Sequence, residues 1–126
     1  MNPSTLIASL IRRYPLISDQ VNIAQVEVIL HELQKTLNKN VGGDVVEFGC
    51  YIGTTSLFIR RLLDAHNDDR AFHVYDSFVG LPEKSIADQS RAGDQFAAGE
   101  LAVSKKQFIR EFQKAHLKLP LIHKGW

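Results

Sequence analysis

Apolar residues along the chain fall into helical spacing first and strand spacing later. Leu6, Ile7, Leu10, Ile11 and Tyr14 recur in steps of one, three and four, which places them on one face of a helix over Pro3–Tyr14. Asn2 is its expected cap, Pro3 sits at the first helical position and Pro15 ends the run. Ile23, Val26, Leu30, Leu33 and Leu37 draw a longer stripe, predicting a second helix from about Gln20 to Asn38 with Ser18 or Asp19 as cap. That stripe is too short for a coiled coil, and Asn40-Val41-Gly42-Gly43 closes it. The spacing then changes. Val45 to Phe48 is a short apolar run that reads as a buried strand, followed by a turn holding Gly49 and Gly53. A helix from Thr54 to about His66 turns Leu57, Phe58, Leu62 and Leu63 inward, and a second strand covers about Ala71–Tyr75. Ser104-Lys105-Lys106-Gln107 is a capping box opening a helix with Phe108, Ile109, Phe112 and Ala115 on its apolar face. After Pro120, Leu121-Ile122-His123 reads as a third strand.

Helix and strand alternate, so the expected fold class is α/β with right-handed crossovers and parallel neighbouring strands. At 126 residues the chain is one domain at most, read as a helical segment over 1–39 ahead of a strand-bearing unit over 40–126. The first helix is expected to pack on its own domain. Residues 76–103 show no convincing long element. A turn of helix over Ser85–Arg91, hinges at Gly93 and Gly99, and a lid over the site are the functional reading of that stretch. With three parallel strands in the usual half-sheet order, the first lies at an edge, yet Val45 and Val46 are too apolar for an open one. The expectation is a truncated piece of a longer protein, ahead of a second copy covering that edge.

Composition narrows the function classes. An apolar fraction of 44% suits a globular core, and a net charge of +1 with mixed signs gives no basic stripe for nucleic acid or anionic membrane. No run approaches the length that spans a bilayer, and Met1–Tyr14 has no secretory pattern. The single cysteine, Cys50, excludes an internal disulfide, so a cytoplasmic setting is expected.

The chemistry concentrates at Glu47-x-Gly49-x-Tyr51-x-Gly53, where a strand meets a helix start. Glycines there let backbone approach a ligand, and the first turn at Thr54, Thr55 and Ser56 offers N–H groups. Asp76, at the end of the second strand, suits the two hydroxyls of a ribose. A dinucleotide fingerprint would read Gly-x-Gly-x-x-Gly. Here Glu47 would repel a pyrophosphate and Tyr51 stands where a glycine often sits. S-adenosylmethionine, with an ammonium, a sulfonium and a ribose but no phosphate, fits better. A nicotinamide-dependent oxidoreductase is the alternative, and a non-catalytic half-domain binding a partner is another. Plainer readings stand beside these. The glycines would serve a tight turn, Asp76 would cap an Asx-turn, Tyr51 would be packing, and Cys50 would be a small buried side chain. The five histidines show no metal spacing.

Val46-Glu47-Phe48-Gly49-Cys50-Tyr51-Ile52-Gly53-Thr54-Thr55-Ser56 together with Tyr75-Asp76-Ser77-Phe78-Val79-Gly80-Leu81-Pro82 resembles the macrocin O-methyltransferase family, over about residues 40–126. The resemblance implies a Rossmann-like, doubly wound methyltransferase fold of which these are the first three parallel strands. It implies S-adenosylmethionine-dependent O-methylation of a hydroxyl on a sugar or natural product, with a small-molecule acceptor and a divalent metal, usually magnesium; a homo-oligomer is expected separately, from the apolar edge of the first strand. Carried over by position, Glu47, Gly49 and Gly53 would line the methionine end of the cofactor. Asp76 would bind the ribose, while Ser77 and Phe78 would border the adenosine. Tyr51 in the turn and Thr54 and Ser56 at the helix start complete the candidate cofactor set. The family's metal ligands and catalytic base lie beyond the third strand, outside these residues. Asp88, Asp94 and Glu100 are the loop carboxylates available to a metal or substrate.

Overall fold

The computed structural model describes residues 2–85 and 98–126. The elements, in order, are α1 (Pro3–Arg13), α2 (Ile23–Asn38), β1 (Val45–Phe48), α3 (Thr54–Ala65), β2 (Phe72–Asp76), α4 (Lys105–Lys114) and β3 (Leu121–Lys124). The strands form one parallel sheet in the order β1-β2-β3, so the expected edge position of β1 is observed among the described strands. Val45 pairs with Phe72 and Glu47 with Val74; on the other side of β2, Tyr75 pairs with His123 and Asp76 with Lys124.

Alternation along each strand separates two unlike faces. Phe72 and Val74 turn toward α3 and α4 and are buried with Leu57, Ile59, Leu63, Phe108 and Phe112, against which Val45 and Ile122 also pack. Val46, Phe48, Tyr75 and Leu121 turn the other way and are exposed, Phe48 by 78%. A second cluster joins α1 to its own chain, as expected, through Ile7, Val26, Leu30, Phe58 and Leu62.

The helix starts show which local signals decide. The sequence reading opens the second helix at Gln20 under a Ser18 or Asp19 cap, but α2 begins at Ile23. Asn22 Oδ1 accepts the Gln25 N–H at 2.8 Å while the Gln25 side chain accepts the Asn22 N–H at 2.9 Å, a reciprocal cap that satisfies two otherwise free donors. Ser18 is committed elsewhere, its Oγ lying 2.7 Å from Thr54 Oγ1. Ile23, read as the head of the buried stripe, is half exposed, and the stripe begins at Val26. The capping box at Ser104 and Gln107 forms as expected. β2 extends one position past the predicted Tyr75, making Asp76 its last residue.

In the long connection, Leu81 donates to the Glu100 carbonyl and accepts from the Gly99 N–H, both at 2.9 Å. Gly99, read as a hinge, is therefore tied by its backbone. Gly80 lies against this crossing. A Cβ there would stand 2.5 Å from the Glu100 oxygen, so glycine is required by space as well as by its φ of +86°. The expected helical turn after Ser85 and the hinge at Gly93 lie outside the described residues. Among the described residues no helix is long and apolar enough to cross a membrane.

Candidate functional site

A cleft of about 550 Å³ opens where the three strands end. β1 and its turn contribute Phe48, Gly49 and Tyr51; β2 contributes Tyr75 and Asp76, with Ser77 just beyond; β3 and its continuation contribute His123, Lys124, Gly125 and Trp126. Leu81, Pro82 and Leu101 from the long connection form an apolar wall. The carboxyl ends of parallel strands are where α/β sheets bind ligands, because adjacent loops diverge there and leave a crevice.

Backbone bonds knit the strand ends together. Gly49 N–H donates to the Tyr75 carbonyl at 2.7 Å, and Gly125 N–H donates to the Asp76 carbonyl at 3.0 Å. Asp76 is held from two sides: Oδ2 accepts the Tyr51 N–H at 3.0 Å and Oδ1 accepts the Phe78 N–H at 2.9 Å. The second bond is the Asx-turn anticipated from Asp-Ser-Phe. It does not exhaust the carboxylate, since each oxygen keeps a further acceptor site. Ser77 Oγ donates to the Gly80 carbonyl at 2.7 Å and accepts the Val79 N–H at 3.3 Å, which shapes the loop under Leu81.

The two glycines of the turn do different work. At Gly49 (φ +76°) a Cβ would meet nothing within 4 Å, and the residue lines the cleft. At Gly53 (φ +101°) a Cβ would stand 2.8 Å from the Phe108 ring, so that glycine lets α4 pack against the start of α3. Tyr51 also adopts a left-handed φ of 50°, presenting its N–H to Asp76 and its residue to the cleft.

Glu47 points to the helix-covered face, where its carboxylate takes a short hydrogen bond from the Ser56 hydroxyl. Burial raises its pKa; the Ser56 bond works against that and the nearby Asp76 charge adds to it, leaving the group pushed up to about 7. Cys50 is buried, and desolvation, with the Asp76 and Glu47 charges adding to it, drives its thiol well above the ordinary range. It is a packed side chain and not a nucleophile.

The predicted cofactor set thus divides. Gly49, Tyr51, Asp76 and Ser77 meet in the cleft. Glu47 and Ser56 pair beneath it, and Thr54 binds Ser18. Phe78, with φ of 58°, is turned into the core, its ring edge-on to Phe108 at 6.1 Å. Tyr75 and the run His123–Trp126 were not singled out from sequence, although their position at strand ends is a readable signal. Asp88 and Asp94 lie outside the described residues, and Glu100 is exposed with its carbonyl bonded to Leu81. Among the described residues no group of three His, Cys, Asp or Glu is placed to hold a metal ion.

A parallel sheet flanked by helices, with its crevice at the strand ends and a carboxylate closing β2, is a Rossmann-like arrangement shared with methyltransferases. The structure matches that of the O-methyltransferase NovP with a TM-score of 0.71 at 30% identity, covering 84% of this chain and 46% of that one. The calicheamicin methyltransferase CalS11 shares the fold at 19% identity and a TM-score of 0.55. The sequence profile described as macrocin-O-methyltransferase (TylF) matches residues 12–126, and the chain belongs to that family. It is 33% identical over 103 residues to demethyldecarbamoylnovobiocin O-methyltransferase of Streptomyces niveus. Over 100 residues it is also 33% identical to 8-demethyl-8-(2,3-dimethoxy-alpha-L-rhamnosyl)-tetracenomycin-C 4'-O-methyltransferase of Streptomyces olivaceus. These matches take in 77% and 75% of this chain but 38% of each relative's length.

Proposed function

We propose that the chain forms the donor-binding part of an S-adenosylmethionine-dependent O-methyltransferase acting on a hydroxyl of a sugar or other natural product. The observation that carries this reading is Asp76. Its carboxylate ends β2 inside the cleft, aimed by two backbone donors and still able to accept from two ribose hydroxyls. Phe48, Tyr75, Leu81, Pro82, Leu101 and Trp126 supply apolar surface of the kind an adenine ring needs. The open space beside Gly49 admits the ligand's chain to the backbone. Relatives named as O-methyltransferases of demethyldecarbamoylnovobiocin and of a rhamnosyl tetracenomycin C support the acceptor class.

The bound cofactor supplies a methyl group on a sulfonium, open to in-line attack by an oxygen nucleophile. The residues described here contribute position. Asp76 fixes the sugar, the strand-end bonds fix Asp76, and the apolar wall excludes water, so that the donor meets its acceptor in one orientation. Glu47 acts from beneath the turn. A cationic ligand group near it favours its ionised form, and Ser56 holds the carboxylate in place. The divalent metal implied by the family resemblance finds no donor set among the described residues, and no step is routed through it. The nicotinamide alternative is not favoured by the family or by the relatives.

Calorimetric titration with S-adenosylhomocysteine tests the reading. One saturable site per chain, with no binding of NAD, is the expected result, and the reverse order would replace it. Self-association belongs to the same reading and is supported by the open, apolar edge of β1. A monomer at every concentration in sedimentation equilibrium would remove that part.

A further inference from the structure

On the sheet face turned away from the helices, three titratable side chains stand in line. Asp44, just ahead of β1, places Oδ2 3.0 Å from His73 Nε2. His73 in β2 places Nδ1 2.9 Å from Nε2 of His123 in β3. The two imidazole planes differ by 21° with centroids 5.2 Å apart, which exceeds the N···N distance by little more than the two ring radii. The rings therefore meet end to end, nearly in one plane, with lone-pair direction along the contact. Two nitrogens on one tetrahedral ion stand about 3.3 Å apart with their lone pairs converging at an angle, so this shorter, head-on contact is a hydrogen bond and not a vacant metal site.

With Asp44 ionised and both imidazoles neutral, proton accounting fixes both tautomers. An ionised carboxylate only accepts, so His73 carries its proton on Nε2 and keeps a lone pair on Nδ1. His123 must supply the proton of the next bond from Nε2, which leaves its own Nδ1 bare. In a five-membered ring the two nitrogens point away from each other. His73 lies toward the start of β2, and the far side of the His123 ring lies toward the strand ends. There His123 lines the cleft, stacked on Tyr75 at 4.3 Å and 12°.

We infer that Asp44 and His73 are positioning residues that lock His123 in its Nε2–H tautomer, making His123 Nδ1 a second hydrogen-bond acceptor of the cleft, beside Asp76, for a hydroxyl or amino group of the ligand. No local spacing assigns these residues a role, because His73 and His123 are 50 positions apart and meet only through the parallel register. The ligand part of the inference rests on the proposed donor site; the lock itself does not. The second ring nitrogen is what a histidine offers a site, and which one is bare is set by the bond the other makes.

The test uses ring nitrogen-15 NMR together with S-adenosylhomocysteine titration at pH 7.5. Two variants are compared with the parent. His73→Gln keeps the polarity of the line, its amide oxygen accepting from His123 and its amide nitrogen donating to Asp44; His73→Leu removes both bonds. His123 should be a single Nε2–H tautomer in the parent and in His73→Gln, and a mixture in His73→Leu. Affinity should be retained by the glutamine variant and fall in the leucine variant by the inverse of the remaining Nε2–H fraction, about twofold for an even mixture. A bare Nε2 on His123 in the parent overturns the lock. A mixed tautomer with unchanged affinity in His73→Leu overturns the acceptor role. If S-adenosylhomocysteine binds none of the three proteins, the donor-site reading fails, while the tautomer spectra still decide the lock.

Discussion

The two faces of the small sheet treat ionisable groups in opposite ways. Beneath the helices, Glu47 has lost water, holds one hydroxyl partner and feels the Asp76 charge, so its proton is held up to about pH 7. On the open face, Asp44, His73 and His123 hand hydrogen bonds along a line in which both ring nitrogens of His73 have a partner. β1 shows the contrast within one strand: its carboxylate points inward while Val46 and Phe48 point outward, the reverse of an ordinary half-buried strand. A buried acid and an exposed apolar row are the two departures from pattern that carry information.

Breaking the covered face should have the largest effect. Phe108→Ala removes a fully buried ring that touches Gly53, Phe78 and Phe112, and should cost about 3–5 kcal/mol in denaturant unfolding. Glu47→Gln comes next and sharpens the electrostatic side of the comparison. The folded chain holds the Glu47 proton more tightly than the unfolded chain, so stability from this group is full below about pH 4.5 and is lost as pH rises through about 7. Glutamine keeps a partner for Ser56 without titrating. The variant should therefore gain on the parent by roughly 2–3 kcal/mol between pH 4.5 and pH 8. Parallel stability profiles for the two proteins would show that Glu47 is not held neutral.

Asp76→Ala should weaken S-adenosylhomocysteine binding by about 1–3 kcal/mol, the scale for hydrogen bonds to a charged group. An unchanged calorimetric affinity would remove Asp76 from the site. The smallest effect is expected on the open face, where Val46→Thr should change unfolding stability by no more than about 0.5 kcal/mol. A loss as large as that of Phe108→Ala would show that this face is covered in solution.

Much of this arrangement is legible in the sequence, for reasons local to it. Val45–Phe48, the turn from Gly49 to Gly53, and Ser104 with Gln107 each carry their geometry within a few residues. The start of α2 was equally legible, since Asn22 and Gln25 repeat the cap spacing of Ser104 and Gln107, but the polar run before it offered earlier candidates. Phe78, expected to border the adenosine, has its ring turned to the core by a left-handed backbone that Asp76 sets and no spacing announces. Pairings such as Gln34 with His66, or His73 with His123, depend on how distant elements dock, and no local spacing encodes them.

The double tether on Asp76 has a consequence for how a ligand would be met. Tyr51 and Phe78 fix both carboxylate oxygens through backbone donors, so this side chain has no rotamers left to search when an encounter occurs. The ordering cost at that position is settled when the chain folds, leaving more of the contact energy to appear as affinity. The tethers come from the turns that follow β1 and β2, so the pocket and the sheet should assemble in the same cooperative step.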